Sequence, residues 1–367
     1  MVGYEMKQWW VVVLLMVSLR AQHFVNAEPT VPCYFIFGDS LSDNGNNNDL
    51  NTLAKANYYP YGVDHPDGAS GRFTNGKNVP DLLAESLGFE QPIPPFATAQ
   101  DNMKGVNYAS GSAGILRITG HHLGACISLE QQLQSHQVTI SSMVEKLGND
   151  STLNHLNQCL YTVGMGSNDY INNYFDKENY NTSQMYQLDA YSELLIQEYS
   201  KQLRELYSQG ARKIAIIGLG LIGCIPRFRP TDDGFGNGGC VEEMNKGATI
   251  FNNHLKSLVD DLNSELKDAH FIYINFYAMG QGDPRPLGFK VLSSPCCKLR
   301  EDGQCKEGEV PCENRNEYIF WDSFHPTEAS SRVTAARAYK AFLRSDTYPM
   351  DIHHLVKLDP QLSKPSS

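Results

Sequence analysis

The sequence lacks a surplus of basic residues. Its 367 residues include 30 lysines and arginines against 41 aspartates and glutamates, which gives a net charge of -11. Nucleic acids and anionic membrane surfaces are bound by basic faces, so neither is expected as a partner. With 41% hydrophobic and 19% charged residues, the chain has the composition of a globular protein and not of a disordered one.

The sequence also lacks a long hydrophobic run. The longest near the N-terminus covers residues 9–19, and a membrane span takes about 20 residues, so no integral membrane segment is expected. Lys7 precedes this run, and a Val-Asn-Ala stretch that ends at Ala27 follows it. This pattern predicts a signal peptide of residues 1–27, cleavage before Glu28, and a secreted, extracellular protein.

Several motifs that would indicate other chemistry are missing. The chain has no Gly-x-Ser-x-Gly, no His-Glu-x-x-His, no Walker loop and no Gly-x-Gly-x-x-Gly that opens a helix. We therefore expect no metal and no organic cofactor. Internal repeats and interdomain linkers are missing too, which predicts one domain over residues 28–350 and a C-terminal tail over residues 351–367.

Cysteine, in contrast, is plentiful. Nine cysteines follow the predicted cleavage site, and an odd number leaves at least one unpaired in an oxidising compartment. Four of them lie within residues 296–312, where a zinc site is the alternative to disulfides. Because Cys296 and Cys297 are adjacent and do not form a Cys-x-x-Cys pair, we expect disulfides that hold a loop.

Two sequons become relevant if the chain is exported. Asn149 stands in Asn-Asp-Ser and Asn181 in Asn-Thr-Ser, so both are candidate glycosylation acceptors. Such tripeptides also arise by chance, and the sequence alone does not distinguish the two origins.

Short apolar runs alternate with longer stretches of helical periodicity. Five runs are rich in β-branched and aromatic residues and predict buried strands: 33–37, 106–109, 160–163, 214–217 and 271–274. Helices are predicted over Leu129–Leu147, 190–208, 242–266 and 327–343. This alternation predicts an α/β fold, a single open doubly wound parallel sheet with helices on both faces. We predict loops at residues 44–51, which are rich in asparagine, and at residues 232–239, which are rich in glycine.

Candidate catalytic residues follow the strands, where ligands of open parallel sheets bind. Ser40 lies on a Gly-Asp-Ser turn directly after the first strand. A serine hydroxyl is a weak nucleophile and needs an adjacent base. Taken alone, these three residues favour an ordinary turn.

A carboxylate and an imidazole occur together near the other end of the chain. Asp322 precedes His325 by three residues, and Pro326 suits the first position of the helix that follows. The shared turn can bring the carboxylate to one ring nitrogen and leave the other for Ser40, as in a Ser-His-Asp triad. A surface aspartate and a capping histidine are the alternative.

Acyl transfer also needs hydrogen-bond donors for an oxyanion. The side-chain amide of Asn168, the backbone N–H of Gly111 and the N–H of Ser40 itself are candidates. Tight turns are the alternative explanation for both Gly111 and Asn168.

Together these segments resemble the conserved blocks of the plant-type GDSL esterase/lipase family, within the SGNH hydrolases. The four segments are Phe-Gly-Asp-Ser-Leu-Ser-Asp-Asn-Gly-Asn at 37–46, Val-Asn-Tyr-Ala-Ser-Gly-Ser-Ala-Gly at 106–114, Gly-Met-Gly-Ser-Asn-Asp-Tyr at 164–170 and Trp-Asp-Ser-Phe-His-Pro-Thr-Glu at 321–328. Residues 71–76 and 220–226 are similar to further family segments, so the resemblance covers about residues 32–344. It implies a flavodoxin-like three-layer sandwich and an esterase or lipase acting on small-molecule or lipid esters.

The resemblance also implies a role for each candidate residue. Ser40 would be the nucleophile, His325 its base and Asp322 the partner that orients the base, with Gly111 and Asn168 as oxyanion donors. In a plant, the expected location would be the cell wall or apoplast. Two rival functions stay open at this point: an acyltransferase with the same acyl-enzyme, and a secreted binding or defence protein without catalysis. The identity of the ester and the oligomeric state are open as well.

Overall fold

The central sheet is mostly parallel, as predicted. The computed structural model describes residues 28–229 and 239–358; the predicted signal peptide and most of the predicted 232–239 loop lie outside them. The main sheet has the order β1-β2-β3-β4-β7, and β5 pairs with β6 in a second, two-stranded sheet. The strands are β1 (Tyr34–Gly38), β2 (Leu160–Gly164), β3 (Lys213–Ile217), β4 (His270–Ile274), β5 (Val291–Pro295), β6 (Tyr318–Phe320) and β7 (Thr347–Tyr348).

Ten α-helical segments connect or cover these strands in the described residues. They are α1 (Val79–Leu87), α2 (Leu129–Leu147), α3 (Asn149–Gln158), α4 (Ser167–Asp169), α5 (Thr182–Met185), α6 (Leu188–Ser208), α7 (Glu242–Glu265), α8 (Phe276–Gly280), α9 (Glu328–Tyr339) and α10 (Ile352–Leu355). None of the helices in these residues combines the length and apolar character that a membrane span requires.

Alternate residues of the strands face two separate cores. One core packs against α2, α3, α6 and α7, and the other against α1, α9 and α10. Because side chains alternate along a strand, each five-residue run supplies both faces. Toward the first core point Phe35, Phe37, Tyr161, Val163, Ile214, Ile216, Phe271 and Tyr273. The two cores make the predicted three-layer arrangement of helices on both faces of the sheet.

Local signals define the ends of the long helices. α2 has the predicted bounds, and Ser128 and Gln131 form a reciprocal capping box at its start. Gly148 follows α2 at a φ of 80° and ends it. The helix predicted over 327–343 is shorter, because Thr327 caps α9 and the helix ends at Tyr339. Pro326 therefore lies just before this cap and not within the helix.

The strand predicted over 106–109 is an extended segment and not a full strand. It runs beside β1, where the Tyr108 N–H donates to Ile36 O at 2.8 Å and the Ile36 N–H donates to Val106 O at 3.1 Å. The Tyr34 N–H also donates to Lys104 O and the Ser110 N–H to Gly38 O, each at 3.1 Å. The segment forms isolated parallel bridges, from Asn107 to Ile36 and to Pro95. A positive φ of 114° at Gly105 bends the chain immediately before it.

Two further features differ from the simple parallel scheme. β7 adds an antiparallel edge beside β4, where Tyr273 pairs with Tyr348. With only two residues, this strand carries no detectable periodicity.

The domain boundary predicted at residue 350 stays a prediction. Beyond residue 350, Ile352 and Leu355 of α10 are buried against the sheet.

The first half of the Asn-rich loop 44–51 is buried, whereas Asp49 and Asn51 are exposed. Asn46 donates through its side-chain amide to the carbonyls of Asn107 and Ala109 at 2.9 and 2.8 Å. Asn47 donates to Gly111 O at 3.1 Å and accepts from the Ser110 hydroxyl at 2.5 Å. These amides satisfy backbone groups that water cannot reach, so the loop joins β1 to the extended segment at 106–111.

The cysteines pair as expected in a secreted chain. The four disulfides are Cys33–Cys159, Cys224–Cys240, Cys296–Cys312 and Cys297–Cys305, and Cys126 is the free, buried thiol. The last two disulfides confirm the prediction that bonds within residues 296–312 hold a loop, which we call the disulfide loop.

We predict that Gly105→Ala destabilises the protein strongly. A Cβ at this position would overlap the carbonyl of Tyr34 in β1, in addition to the strain of the positive φ. The expected loss in the free energy of unfolding is about 3 kcal/mol or more, measured by denaturant titration. Gly288→Ala is the matched control: its φ is 98° but no described atom lies within 4 Å of the added Cβ, so only about 1–2 kcal/mol is expected. Equal losses in the two variants would contradict the steric explanation.

Candidate active site

Ser40 lies on a tight turn at the carboxyl end of β1. The N–H groups of Ser42 and Asp43 both donate to the carbonyl of Asp39, which folds the chain around Ser40. Gly38, the last residue of β1, is fixed by Gln132 of α2, whose side-chain amide binds its N–H at 3.0 Å and its carbonyl at 2.9 Å. The turn presents the Ser40 hydroxyl to the cleft above the sheet.

Asp322 and His325 share the turn that precedes α9. His325 Nδ1 lies 2.9 Å from Asp322 Oδ1 and 2.8 Å from Oδ2. The backbone N–H groups of Phe324 and His325 each donate to Asp322 Oδ1 at 2.8 Å. Asp322 is fully buried. The local turn thus aims the carboxylate at one side of the imidazole, as its three-residue spacing predicted.

The fold brings Ser40 to the other side of the same ring. His325 Nε2 lies 2.7 Å from Ser40 Oγ, although the two residues are 285 positions apart. The ring of Phe73 packs on the imidazole with a centroid distance of 4.9 Å. Hydroxyl, imidazole and carboxylate therefore form one continuous line of hydrogen bonds, with the geometry that activates a serine nucleophile.

Asn168 is held in the loop after β2. Its Nδ2 donates to Ala113 O at 2.9 Å, and its Oδ1 accepts from Asn172 Nδ2 at 2.7 Å. An amide nitrogen carries two protons, so one N–H of Asn168 has no hydrogen-bond partner among the described residues. Asn168 lines the cleft together with Ser40 and His325.

Gly111 lies close to the site, but its N–H is already engaged. It donates to Asp43 Oδ2 at 3.0 Å, and Gly111 is not among the residues that line the cleft. The next residue, Ser112, does line the cleft and has a φ of 63°, the one positive φ of a non-glycine residue in the described chain. Its backbone N–H has no hydrogen-bond partner among the described residues. Among the described residues, the N–H without a partner beside the cleft is therefore that of Ser112 and not that of Gly111.

Two buried aspartates that the site prediction missed hold these loops together. Asp43 also accepts from the N–H groups of Gly45 and Asn46, each at 2.8 Å. Asp169 accepts from the N–H groups of Ile115 and Leu116 and from the hydroxyl of Thr119.

Burial raises the pKa of both carboxyl groups to about 6, against the opposing effect of their hydrogen bonds. Asp43 lies within segment 37–46 and Asp169 within segment 164–170, both quoted above for the family resemblance. Their place in these segments is the sequence signal that could have identified them.

Ser40, Ser112, Asn168 and His325 all line one large cleft. It has a volume of about 1540 Å³ and runs over the carboxyl ends of β1, β2 and β3, the position expected for an open parallel sheet. Most of its wall is apolar. Examples are Leu41, Phe73, Leu123, Ile171, Phe175, Leu221, Ile225, Phe276, Met279, Phe289 and Phe324.

One group of potential metal ligands occurs in the described residues, away from this cleft. It consists of Cys33, His155 and Cys159. The two cysteines are joined as a disulfide, so neither sulfur is a thiolate that could bind a metal.

The two sequon residues, Asn149 and Asn181, are exposed at the starts of α3 and α5. Glycosylation at either stays a prediction.

Comparison with known proteins identifies the class. The model of the family described as GDSL-like Lipase/Acylhydrolase matches residues 34–338. The chain therefore belongs to the GDSL-like lipase/acylhydrolase family, which confirms the resemblance seen in the sequence.

GDSL esterase/lipases from Arabidopsis thaliana are similar over nearly their whole length. One GDSL esterase/lipase is 45% identical over 356 residues, covering 95% of this chain and 98% of the relative. Another is 46% identical over 362 residues, covering 96% of this chain and 99% of the relative. The protein is a carboxylic ester hydrolase of this family.

Similar solved structures are more distant. A family two carbohydrate esterase from Clostridium thermocellum is 12% identical with a TM-score of 0.40, covering 85% of this chain and 63% of that one. An extracellular lipase from Streptomyces rimosus is 13% identical with a TM-score of 0.34, covering 82% of this chain and 95% of that one. These scores are too low to support an argument about substrate.

We predict that a fluorophosphonate probe labels Ser40 and no other serine. Among the described serines, Ser40 is the one with an imidazole nitrogen at hydrogen-bond distance, and only an activated hydroxyl reacts with such a probe. Mass spectrometry of the labelled peptide is the measurement. Ser40→Ala and His325→Ala should both abolish labelling. Labelling that persists in Ser40→Ala would remove Ser40 from the site.

Proposed function

We propose that this protein hydrolyses carboxylic esters through a Ser40-His325-Asp322 triad and a covalent acyl-enzyme. The observation that supports this most directly is the line of hydrogen bonds from Ser40 Oγ to His325 Nε2 at 2.7 Å and from His325 Nδ1 to Asp322 at 2.8 Å. Family membership supports ester hydrolysis as the reaction in which these hydrogen-bonded groups take part.

The reaction has two halves. Ser40 Oγ attacks the ester carbonyl while His325 Nε2 takes the hydroxyl proton, and Asp322 stabilises the imidazolium that forms. The bond to the alcohol oxygen then breaks, and His325 returns the proton to the leaving alcohol. In the second half, water attacks the acyl-enzyme with the same proton transfers and releases the acid and the free Ser40 hydroxyl.

Three donors for the oxyanion surround Ser40 in this proposal: its own N–H, the N–H of Ser112 and the side chain of Asn168. The role expected of Gly111 passes to Ser112, because Asp43 occupies the Gly111 N–H. A crystal structure of the Ser40 phosphonate adduct tests this. The phosphonyl oxygen should lie within about 3 Å of Ser112 N, and contact with Gly111 N instead would contradict the assignment.

The apolar wall of the cleft favours esters with a long apolar acyl group. Apolar surface buried by each added methylene contributes up to about 0.8 kcal/mol to binding. A series of p-nitrophenyl esters from acetate to palmitate is the test, with Ser40→Ala as the blank. kcat/KM should rise with chain length over the short members. A preference for acetate over octanoate would contradict an acyl site in this cleft.

We also propose that the protein is exported. Four disulfides support an oxidising compartment, and the N-terminal pattern supports cleavage before Glu28. N-terminal sequencing of the secreted protein tests both, and an intracellular protein that retains residues 1–27 would contradict them.

Asn168→Ala should lower kcat by about 10²–10³-fold, the usual loss when one oxyanion donor is removed. KM should change much less, because the donor acts on charge that develops in the transition state. Asn168→Asp should be at least as harmful, since it places a carboxylate where the oxyanion forms. Steady-state kinetics on both variants are the measurement.

A matched control separates this effect from a loss of stability. Asn263 also uses its amide to bind backbone, at the N–H and carbonyl of Phe271, and it does not line the cleft. Asn263→Ala should lower Tm while kcat stays near wild type. If Asn168→Ala behaves in the same way, Asn168 is a turn residue and not an oxyanion donor.

A further inference from the structure

Among the residues that the structure describes, the carboxylate of Asp322 has one hydrogen-bond partner from outside its own turn. Oδ1 is occupied by the N–H groups of Phe324 and His325, and both oxygens face His325 Nδ1. From the opposite side, the hydroxyl of Tyr61 donates to Oδ2 at 2.6 Å, across 261 positions of sequence. Asp322 and Tyr61 are both buried, so no water replaces this donor.

Tyr61 is itself fixed by the disulfide loop. Its hydroxyl oxygen accepts from the N–H of Cys305 at 3.1 Å, while its proton goes to Asp322. Cys305 is bonded to Cys297, and the Cys297 N–H donates at 3.0 Å to the carbonyl of Trp321, the residue before Asp322. The loop therefore holds both the chain that carries Asp322 and the hydroxyl that binds it.

The hydroxyl of Tyr61 is a donor to Asp322. Burial, and next the nearby charge of Asp322, hold the pKa of Tyr61 well above its usual value of 10. A group in this state can only donate to the carboxylate. Its ring is packed edge-on against Tyr58 and Phe73, and Phe73 in turn packs on His325.

We propose that Tyr61 is a positioning residue of the active site: its hydroxyl fixes the Asp322 carboxylate so that it faces His325 Nδ1. This inference rests on the proposed triad. Without the hydroxyl, Oδ2 would be buried with one donor fewer, and the carboxylate could turn away from the imidazole. The imidazolium that forms as Ser40 attacks would then be less well stabilised, which slows the chemical step and leaves substrate binding unchanged.

Tyr61→Phe is the direct test, because it removes one oxygen and keeps the ring. A hydrogen bond to a charged group is worth enough to lower kcat by about 10–100-fold, with KM within about twofold of wild type. kcat is measured per active site, counted by fluorophosphonate labelling, so any unfolded fraction does not enter the result.

Tyr58→Phe is the matched control. The Tyr58 hydroxyl donates to the carbonyl of Cys305 at 2.9 Å, so it binds the same loop and has no hydrogen bond to Asp322 among the described contacts. Its kcat should stay within about twofold of wild type. If Tyr58→Phe lowers kcat as much as Tyr61→Phe does, the effect comes from the loop, and a positioning role for Tyr61 is overturned.

A double-mutant cycle identifies the route of the effect. In an Asp322→Ala background the acceptor is gone, so Tyr61→Phe should lower the remaining activity by less than about twofold. The same fold loss in both backgrounds, or an unchanged kcat in Tyr61→Phe alone, would overturn the inference. Near wild-type activity of Asp322→Ala by itself would instead refute the triad, so the two failures are distinguishable.

Discussion

The buried carboxylate of Asp322 requires hydrogen-bond donors that the protein must supply, because water does not reach it. A buried, unpaired carboxylate would be destabilising by several kcal/mol or would take up a proton. The chain meets this requirement with two turn N–H groups, the imidazole of His325 and the hydroxyl of Tyr61. The turn before α9, the disulfide loop and the segment that carries Tyr61 are arranged around this one group.

The same constraint recurs in the loops on the opposite side of Ser40. Asp43 and Asp169 are buried and accept backbone N–H groups from neighbouring loops, so each joins two segments that carry active-site groups. Burial raises the pKa of both, which shows that desolvation outweighs the hydrogen bonds they receive. One consequence is specific: Asp43 takes the Gly111 N–H, and the open N–H in the cleft belongs to Ser112.

A rigid polar frame beside a large apolar cleft suits an ester hydrolase. In the proposed mechanism, this frame would hold the reacting groups in place before substrate binds, so that binding energy need not be spent on ordering them. The apolar wall offers room for an acyl group without further polar contacts that would restrict its identity. The disulfides around the site add covalent support at positions where loops, and not strands, carry the functional residues.

Features that depend on local interactions could be predicted from the sequence. α2 has its predicted bounds because a capping box and a glycine define its ends within a few residues. The Asp322-His325 pair could be predicted for the same reason, since both residues share one turn. The short apolar runs between amphipathic helices predicted the parallel sheet. Because ligands of such sheets bind at the carboxyl ends of the strands, the same pattern predicted a site near Ser40 and Asn168.

Features that depend on contacts between distant residues could not be predicted from the sequence and are seen only in the folded chain. The segment at 106–109 has the composition of a strand, but in the fold it forms only isolated bridges, from Asn107 to Ile36 and to Pro95. Whether the Gly111 or the Ser112 N–H is free depends on Asp43, 68 positions away from Gly111. Tyr61 could not be assigned from sequence, because its partner lies 261 residues later and no periodicity encodes such a contact.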